Sequence, residues 1–202
     1  MQNGWNRLTR LLRVPVMALS LCALLGPSHE AQAAAVGEEL KNGEVRDGRN
    51  QPASLPGFGE RVLLILYTDP DVANQNDAFA DLVKAAGLPK SHFQSMGIAN
   101  MKDAPMKPNW IIRKIVRDKV EKYGVTILTD PDRLLINQWG LGDCNNQSVV
   151  LIVGKDKKLH FFEKGQLSSE KSQAALAKLC QLIAADGGSE APSCKNLPKP
   201  AN

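Results

Sequence analysis

Cysteine is scarce in this chain, and none of it is arranged as a close pair. The 202 residues contain four cysteines: Cys22, Cys144, Cys180 and Cys194. Their spacing excludes a Cys-x-x-Cys dithiol motif. Histidine is also rare, and neither His92 nor His160 has a cysteine or histidine neighbour at metal-ligand spacing. The sequence therefore predicts no metal site and no cofactor.

A large charge of one sign is missing as well. The formal net charge is +4, and removal of residues 1–33 would leave 22 basic and 20 acidic residues, a net charge of +2. So balanced a surface argues against nucleic acid or an anionic membrane as the partner. A periplasmic protein or a small ligand remains as the expected partner class.

The longest apolar run of the chain lies near the amino terminus. Arg7, Arg10 and Arg13 precede an apolar stretch at residues 14–25, and Ala31-Gln32-Ala33 offers a small-x-small cleavage site. This pattern predicts a signal peptide at residues 1–33 and export to the periplasm. The run is too short for a permanent membrane helix, so we expect no membrane association after cleavage. The predicted domain is 34–186, followed by an irregular tail at 187–202.

Apolar runs and helical periodicity alternate along the predicted domain. One or two short edge strands are predicted within 36–60. Three strands, each followed by a helix, come next: a strand at 61–67 and a helix near 70–86, a strand at 92–101 and a helix at 110–123, and a strand at 125–128 and a helix toward Trp139. A hairpin of 148–153 with 159–163 and a last helix from about 168 complete the domain. Alternation of this kind requires a sheet with crossover helices. The predicted fold class is α/β, with a mixed, mostly parallel central sheet and helices on both faces.

Two copies of the tetrapeptide Thr-Asp-Pro-Asp come directly after predicted strands, at residues 68–71 and 129–132. An aspartate before a proline suits a helix N-cap, because its side chain accepts backbone N–H groups and proline fits the first helical position. The carboxyl ends of the strands should bring Asp69, Asp71, Asp130 and Asp132 to one sheet edge. A calcium site is the rival interpretation, but the spacing lacks a calcium-loop motif, and we favour capping.

Several segments resemble the thioredoxin and peroxiredoxin superfamily. They are the apolar strand at 61–67, Trp-Gly-Leu at 139–141, and the strand-turn-strand at 148–165. Within it, Lys-Ala-Ala-Gly-Leu-Pro at 84–89 and Thr-Ile-Leu-Thr-Asp at 126–130 look like the YtfJ family. This resemblance implies an exported bacterial protein of thioredoxin-like fold without a dithiol.

The sequence departs from redox relatives at two places. The segment where they carry a reactive cysteine reads Asp-Val-Ala-Asn-Gln-Asn at 71–76, and the loop at 143–148 lacks their cis-proline. We therefore expect a non-catalytic binding or accessory protein rather than an enzyme. Its expected recognition edge consists of Asp69, Asp71, Asn74, Asp143, Cys144 and Asn146. The alternative is a thiol-dependent oxidoreductase or peroxidase-like protein that works through Cys144.

After signal cleavage three cysteines remain, which allows one disulfide. In the fold that the resemblance implies, the last helix starts at the sheet end that holds Cys144, and Cys180 lies about 15 Å along it at 1.5 Å per residue. That separation is too long for a disulfide between these two residues. We favour Cys180 with Cys194, and the pair Cys144 with Cys194 is the rival.

Overall fold

The structure is a computed structural model that describes residues 34–47, 49–103, 109–188 and 194. The predicted signal peptide at 1–33 and most of the predicted tail lie outside these residues. The strands are β1 (Glu44–Arg46), β2 (Pro52–Ser54), β3 (Val62–Thr68), β4 (Phe93–Ala99), β5 (Thr126–Thr129), β6 (Ser148–Val153) and β7 (Leu159–Lys164). The helices are α1 (Asp77–Ala86), α2 (Asn109–Tyr123), α3 (Leu134–Trp139) and α4 (Ser169–Ala185).

The seven strands form one mixed sheet in the order β2-β1-β5-β4-β3-β6-β7. Only β3, β4 and β5 pair in parallel, and the flanking strands pair antiparallel. Right-handed crossovers from β3 to β4 and from β4 to β5 move in one direction, so α1 and α2 lie on the same face. The predicted fold class is confirmed, with parallel pairing confined to the three central strands.

Two apolar layers enclose the sheet. Alternate residues of β3 point to opposite faces, so Leu64 packs with α1 and α4 while Leu63 packs with α3 and the amino-terminal segment. All six residues of β6 are buried because both of its faces are covered. The apolar runs at residues 61–67 and 148–153 are therefore the centre of the core, as their lack of alternation predicted.

The helix predicted near residues 70–86 is wrong in one respect: it is broken. A 3-10 turn at Pro70–Val72 is followed by an irregular stretch, and α1 begins only at Asp77. The backbone between them forms turns, with Gln75 N bonded to Val72 O at 2.9 Å and Asp77 N to Asn74 O at 3.1 Å. At the end of these turns the side-chain amide of Asn76 donates to Gly165 O and accepts from Leu167 N, both at 2.9 Å, which fixes the start of α1 against the segment between β7 and α4.

A disulfide joins Cys180 of α4 to Cys194, with a Cα–Cα distance of 5.7 Å. This is the pairing that the sequence favoured, and Cys144 is free. With 17 residues, α4 is the longest helix of the described chain. Among the described residues, no helix combines the length and the apolar character needed to cross a bilayer.

Candidate active edge of the sheet

The three parallel strands end side by side, and β6 begins beside them. Backbone pairing aligns Thr129, Ala99, Thr68 and Ser148 in one row across the sheet. We call this border the carboxyl edge, and the opposite border the amino edge. Loops at the carboxyl edge are where α/β proteins of open-sheet type bind ligands. The carboxyl edge is therefore the first place to look for a functional site.

Each parallel strand is followed directly by a polar side chain that is completely buried. These residues are Asp69 after β3, Asn100 after β4 and Asp130 after β5, and all three have 0% exposure. Their amides extend the ladder, with Asn100 N bonded to Thr68 O at 3.0 Å and Asp130 N bonded to Ala99 O at 2.9 Å. Buried polar groups require partners, so the contacts of these three side chains define the chemistry of the edge.

Asp69 connects two loops of the carboxyl edge. Its Oδ1 accepts a hydrogen bond from Asp71 N at 2.8 Å, which is the predicted N-cap of the 3-10 turn. Its Oδ2 accepts from Asn146 N at 2.8 Å, in the loop that precedes β6. The carboxylate thus lies just before the segment at 71–76 where the resemblance places a reactive cysteine, and it holds backbone rather than a substrate.

Asp130 supports the start of α3 and also reaches into the core. Its two oxygens accept from Leu134 N at 2.8 Å and from Leu135 N at 3.0 Å, the first two amides of α3. The predicted position of the cap is wrong in one respect: Arg133 is the N-cap residue, so Pro131 does not take the first helical position. The hydroxyl of Tyr67 donates to Oδ2 of Asp130 at 3.1 Å. Burial, followed by the nearby charge of Asp130, raises the pKa of Tyr67 far above its usual value and keeps the phenol protonated.

Only one of the two polar atoms in the Asn100 side chain has a hydrogen-bond partner. Its Nδ2 donates to the carboxylate of Asp103, which also forms an ion pair with Arg133. Its Oδ1 is buried and has no hydrogen-bond partner. Asp103 is 4% exposed as a side chain and Arg133 is 46% exposed, so the guanidinium extends from a buried carboxylate toward solvent.

The loop that precedes β6 is fastened to the segment before α1 by side chains. Ser148 N donates to Gln75 Oε1 at 2.7 Å, and the hydroxyls of Thr68 and Ser148 lie 2.9 Å apart. Asp69 N bonds to Gln147 O at 3.0 Å. Polar side chains and backbone groups of the two loops are therefore engaged in joining them.

Cys144 lies in this loop, and its thiol is sequestered. The residue is 1% exposed, and its Sγ lies 3.5 Å from Gly142 O. Burial raises the pKa of the Cys144 thiol; the positive charge of Lys164 opposes the shift and the carboxylate of Asp143 adds to it. A reactive cysteine needs thiolate character and access, and Cys144 is short of both.

A cavity of about 430 Å³ opens beside Cys144 at the carboxyl edge. Polar side chains of different types line it together with glycine backbone: Arg133, Asn137, Gly140, Gly142, Asp143 and Cys144. Its size falls within the range of ligand pockets, about 300–1,000 Å³. Glycines leave backbone groups accessible, so the cavity can offer both charged and backbone hydrogen-bond partners to a ligand.

The residues predicted as a recognition edge come together here, but not all of them reach the surface. Asp69 and Cys144 are buried, whereas Asp71, Asn74, Asp143 and Asn146 are exposed; the last four form the exposed part of the predicted edge.

Sequence reasoning missed Asn100, Tyr67 and Arg133. Asn100 falls within the strand predicted at 92–101, whereas β4 ends at Ala99, so its position after the strand was not recognised. Tyr67 gave no signal, because its partner Asp130 is 63 residues away in the sequence.

The two acidic pairs do reach the same edge, yet their oxygens are already engaged. Asp69 and Asp130 accept backbone N–H groups, and Asp132 pairs with Arg46 at 3.4 Å. Within the described ranges, no group of three or more histidine, cysteine, aspartate or glutamate side chains could hold a metal ion. The capping interpretation therefore accounts for the acidic pairs.

Solved structures of low sequence identity share this architecture. A peroxiredoxin-like protein from Aquifex aeolicus is 14% identical with a TM-score of 0.53, and the match covers 75% of this chain and 90% of that one. An exposed lipoprotein thioredoxin from Streptococcus pneumoniae is 11% identical with a TM-score of 0.52, covering 70% and 100%. The thioredoxin domain of a thiol-disulfide oxidoreductase from Bacteroides vulgatus is 11% identical with a TM-score of 0.51, covering 72% and 98%. These matches establish a thioredoxin-like fold.

Family comparison is more specific than the structural matches. No curated protein matches the sequence. One family model matches residues 37–182, and its description reads "Bacterial protein of unknown function (YtfJ_HI0045)". The matched region includes every strand, α1 to α3 and most of α4. This chain therefore belongs to the YtfJ family of bacterial proteins of unknown function.

Proposed function

We propose that this protein is an exported, non-catalytic binding protein that recognises its partner at the carboxyl edge. The observation that carries the proposal is that the segment at 71–76, where the resemblance places the reactive cysteine of redox relatives, contains no cysteine, while Asp69 just before it binds two backbone amides. Neither of its oxygens can cycle electrons. The fold is thus retained with its ligand-facing edge, while the redox chemistry of that edge is absent.

The cavity beside the edge supports recognition as the role. Arg133, which is paired with Asp103, and Asp143 bring charges of both signs to its wall, and Asn137 adds an exposed amide. Charged and polar groups around one cavity confer selectivity for a partner with matching charges and donors. A small polar ligand, or a loop of a periplasmic protein, fits this lining.

Thiol chemistry through Cys144 is the second candidate, because this residue lines the same cavity. Burial and the raised pKa of the thiol oppose it, as does the absence of a second free cysteine among the described residues. A disulfide exchange cycle within one chain needs a resolving thiol, and the other two described cysteines already form a disulfide.

Thiol reactivity separates the two candidates. The protein expressed from the full sequence should react with a thiol reagent about 100-fold more slowly when native than after unfolding in guanidinium, because the thiol is buried. It should not reduce insulin or consume peroxide above the level of the Cys144→Ser variant. A fast native reaction, with activity that is lost in Cys144→Ser, would overturn the binding proposal in favour of the enzyme.

Site-specific crosslinking tests recognition directly. A photo-crosslinking amino acid at Asn137 or Asp143, in cells that export the full chain, should capture one defined adduct. The matched control is the same amino acid at Lys158, which is exposed in the β6–β7 turn at the amino edge. Equal capture of the same species from Lys158, or no adduct from either edge position, contradicts the proposal. Fractionation of those cells checks export, since cytoplasmic retention of the processed chain is incompatible with it.

A further inference from the structure

One sheet face is packed in two different ways. Over β3 and β6, most side chains beneath α1 and α4 are fully buried, including Leu64 and Ile152 at no more than 1% exposure. Over β4 and β5, beneath α2, the sheet residues Ser95, Gly97 and Ala99 are only half-buried. The facing α2 residues are half-buried too, namely Ile115 and Val116.

Small side chains on β4 leave space that α2 does not fill. A cavity of about 460 Å³ lies between the sheet, α1 and α2. Its lining is mainly apolar and includes Leu64, Leu66, Val83, Ile112, Val116 and Ile127. Apolar walls with few polar groups, at a volume within about 300–1,000 Å³, are typical of small-molecule sites. The recognition cavity at the carboxyl edge is lined by different residues.

The cavity is elongated along the strands. Its lining extends from Arg61, directly before β3, to Thr68 at the end of that strand. Seven steps at a rise of about 3.3 Å each give a length of about 23 Å. A space of this length with apolar walls suits an extended hydrocarbon chain better than a compact metabolite.

The polar groups at the amino edge of the cavity are cationic. Arg61, Lys84 and Lys90 line it there, and none of the three forms an ion pair with a carboxylate within the described chain. The one acidic lining residue, Asp77, is paired with Lys119. A cationic end next to an apolar space is complementary to an anionic head group.

Tyr123 adds a hydrogen-bond donor near the cationic end. It lines the cavity at the last residue of α2; its hydroxyl is buried, and the side chains of Lys122 and Asp81 lie close enough to interact with it. Burial raises the pKa of Tyr123, so the phenol keeps its proton. A carboxylate or phosphate oxygen would satisfy this donor, whereas an alkyl ammonium group would not.

The geometry points to a binding site for a single-chain amphiphile with an anionic head group, its chain between β4 and α2 and its head near Arg61, Lys90 and Tyr123. The shared chemistry covers a free fatty acid and an alkyl phosphate. This site is independent of the recognition role proposed for the carboxyl edge.

Calorimetric titration with a 16-carbon fatty acid, below its micelle concentration, tests the site in protein expressed from the full sequence. We expect saturable binding of one molecule per chain. Each loss of two methylene groups should weaken binding about tenfold, since burial of one CH₂ contributes about 0.8 kcal/mol. A trimethylammonium amphiphile of the same length should bind at least about tenfold more weakly. An alkyl phosphate that binds as well as the acid would support recognition of the anionic head group and would identify alkyl phosphates as a second class of ligand.

Cavity-filling variants locate the ligand. Gly97→Leu and Ser95→Leu should each reduce affinity about tenfold or more, because their side chains occupy the space that the hydrocarbon needs. At Gly97 a Cβ would meet Ile127 at an ordinary 3.4 Å, so the backbone can accept the change. The matched control is Ala85→Leu, which adds the same kind of side chain at an exposed position of α1. Thermal unfolding verifies that each variant is folded.

Charge variants keep the test valid if a filled cavity prevents folding. The double variant Arg61→Gln and Lys90→Gln should bind the acid about tenfold more weakly and lose most of its preference over the ammonium amphiphile, whereas Lys158→Gln should change neither. The proposal is overturned by an absence of saturable binding, by equal affinity for acid and ammonium, or by folded Gly97→Leu and Ser95→Leu proteins that bind like the parent.

Discussion

The two Thr-Asp-Pro-Asp corners have the same four residues but form different hydrogen bonds. In both, the first aspartate is completely buried and accepts two backbone amides. At residues 68–71, one of these amides belongs to Asn146, which is 77 residues away from Asp69. At residues 129–132, both amides belong to the helix directly after the corner, and a third donor comes from Tyr67. The corner at 68–71 joins two loops, and the corner at 129–132 stabilises the start of the helix that follows it.

The difference is caused by the residues on the carboxyl side of each tetrapeptide. Leu135 and Ile136 come soon after the second corner, so a helix that begins there buries apolar side chains at once. Polar residues at 74–76 come after the first corner, and two of them take part in long-range hydrogen bonds instead. A capping aspartate thus stabilises a local helix only where the next residues supply a buried face.

Removal of Asp130 should have the largest effect on stability. Asp130→Ala leaves two helix amides and the Tyr67 hydroxyl without their acceptor in a buried place, which should lower the free energy of unfolding by about 3 kcal/mol. Urea unfolding followed by circular dichroism measures it. Asp132→Ala, at a half-exposed position of the same corner, should cost less than about 0.5 kcal/mol. Equal losses for the two variants would mean that burial of Asp130 contributes nothing.

Removal of Asp69 should have a smaller effect on stability and a larger effect on the loop at 143–148. Asp69→Ala should lower the free energy of unfolding by about 2 kcal/mol, because a cap and one long-range hydrogen bond are lost. Native labelling of Cys144 by a thiol reagent should accelerate about tenfold, more than in Asp130→Ala, since Asp69 holds the neighbouring Asn146. Asn74→Ala, also at the edge but exposed, is the control. An unchanged labelling rate in Asp69→Ala would show that other contacts keep the loop closed.

Local features of these corners could be predicted from the sequence, and their long-range partners could not. The buried strands, the capping aspartates and the sheet edge on which they meet can be inferred from short apolar runs and from parallel topology. The start of α1 is fixed by contacts of Asn76 with residues 89 and 91 positions away. No pattern within a helical window contains that information.

The candidate site also has some features that could be predicted from the sequence and others that could not. Sequence reasoning placed Cys144 and its loop at the correct edge, because the strand order determines that position. It did not predict that the thiol is buried or that Asp69 is the residue that ties this loop, since both depend on the path of the backbone at 143–148. The YtfJ resemblance predicted the fold, whereas the contacts of the carboxyl edge are seen only in the structure.

The smallest predicted effect concerns the one contact that the second corner has and the first lacks. Tyr67→Phe removes the phenolic donor to Asp130 and should cost about 1 kcal/mol at neutral pH, because one buried hydrogen bond is lost while the ring packing is kept. The pKa of Tyr67 is raised in the folded state, so its protonated form is favoured there. The advantage of the parent protein over Tyr67→Phe should therefore be complete below about pH 10, where the phenol of the unfolded chain is also protonated, and should shrink as the pH rises above it. Urea unfolding of both proteins from about pH 7 to about pH 11 measures this difference directly. A gap that stays constant across that range would show that the phenol ionises as easily in the folded protein as in the unfolded chain, and that the second corner resembles the first more closely than its contacts indicate.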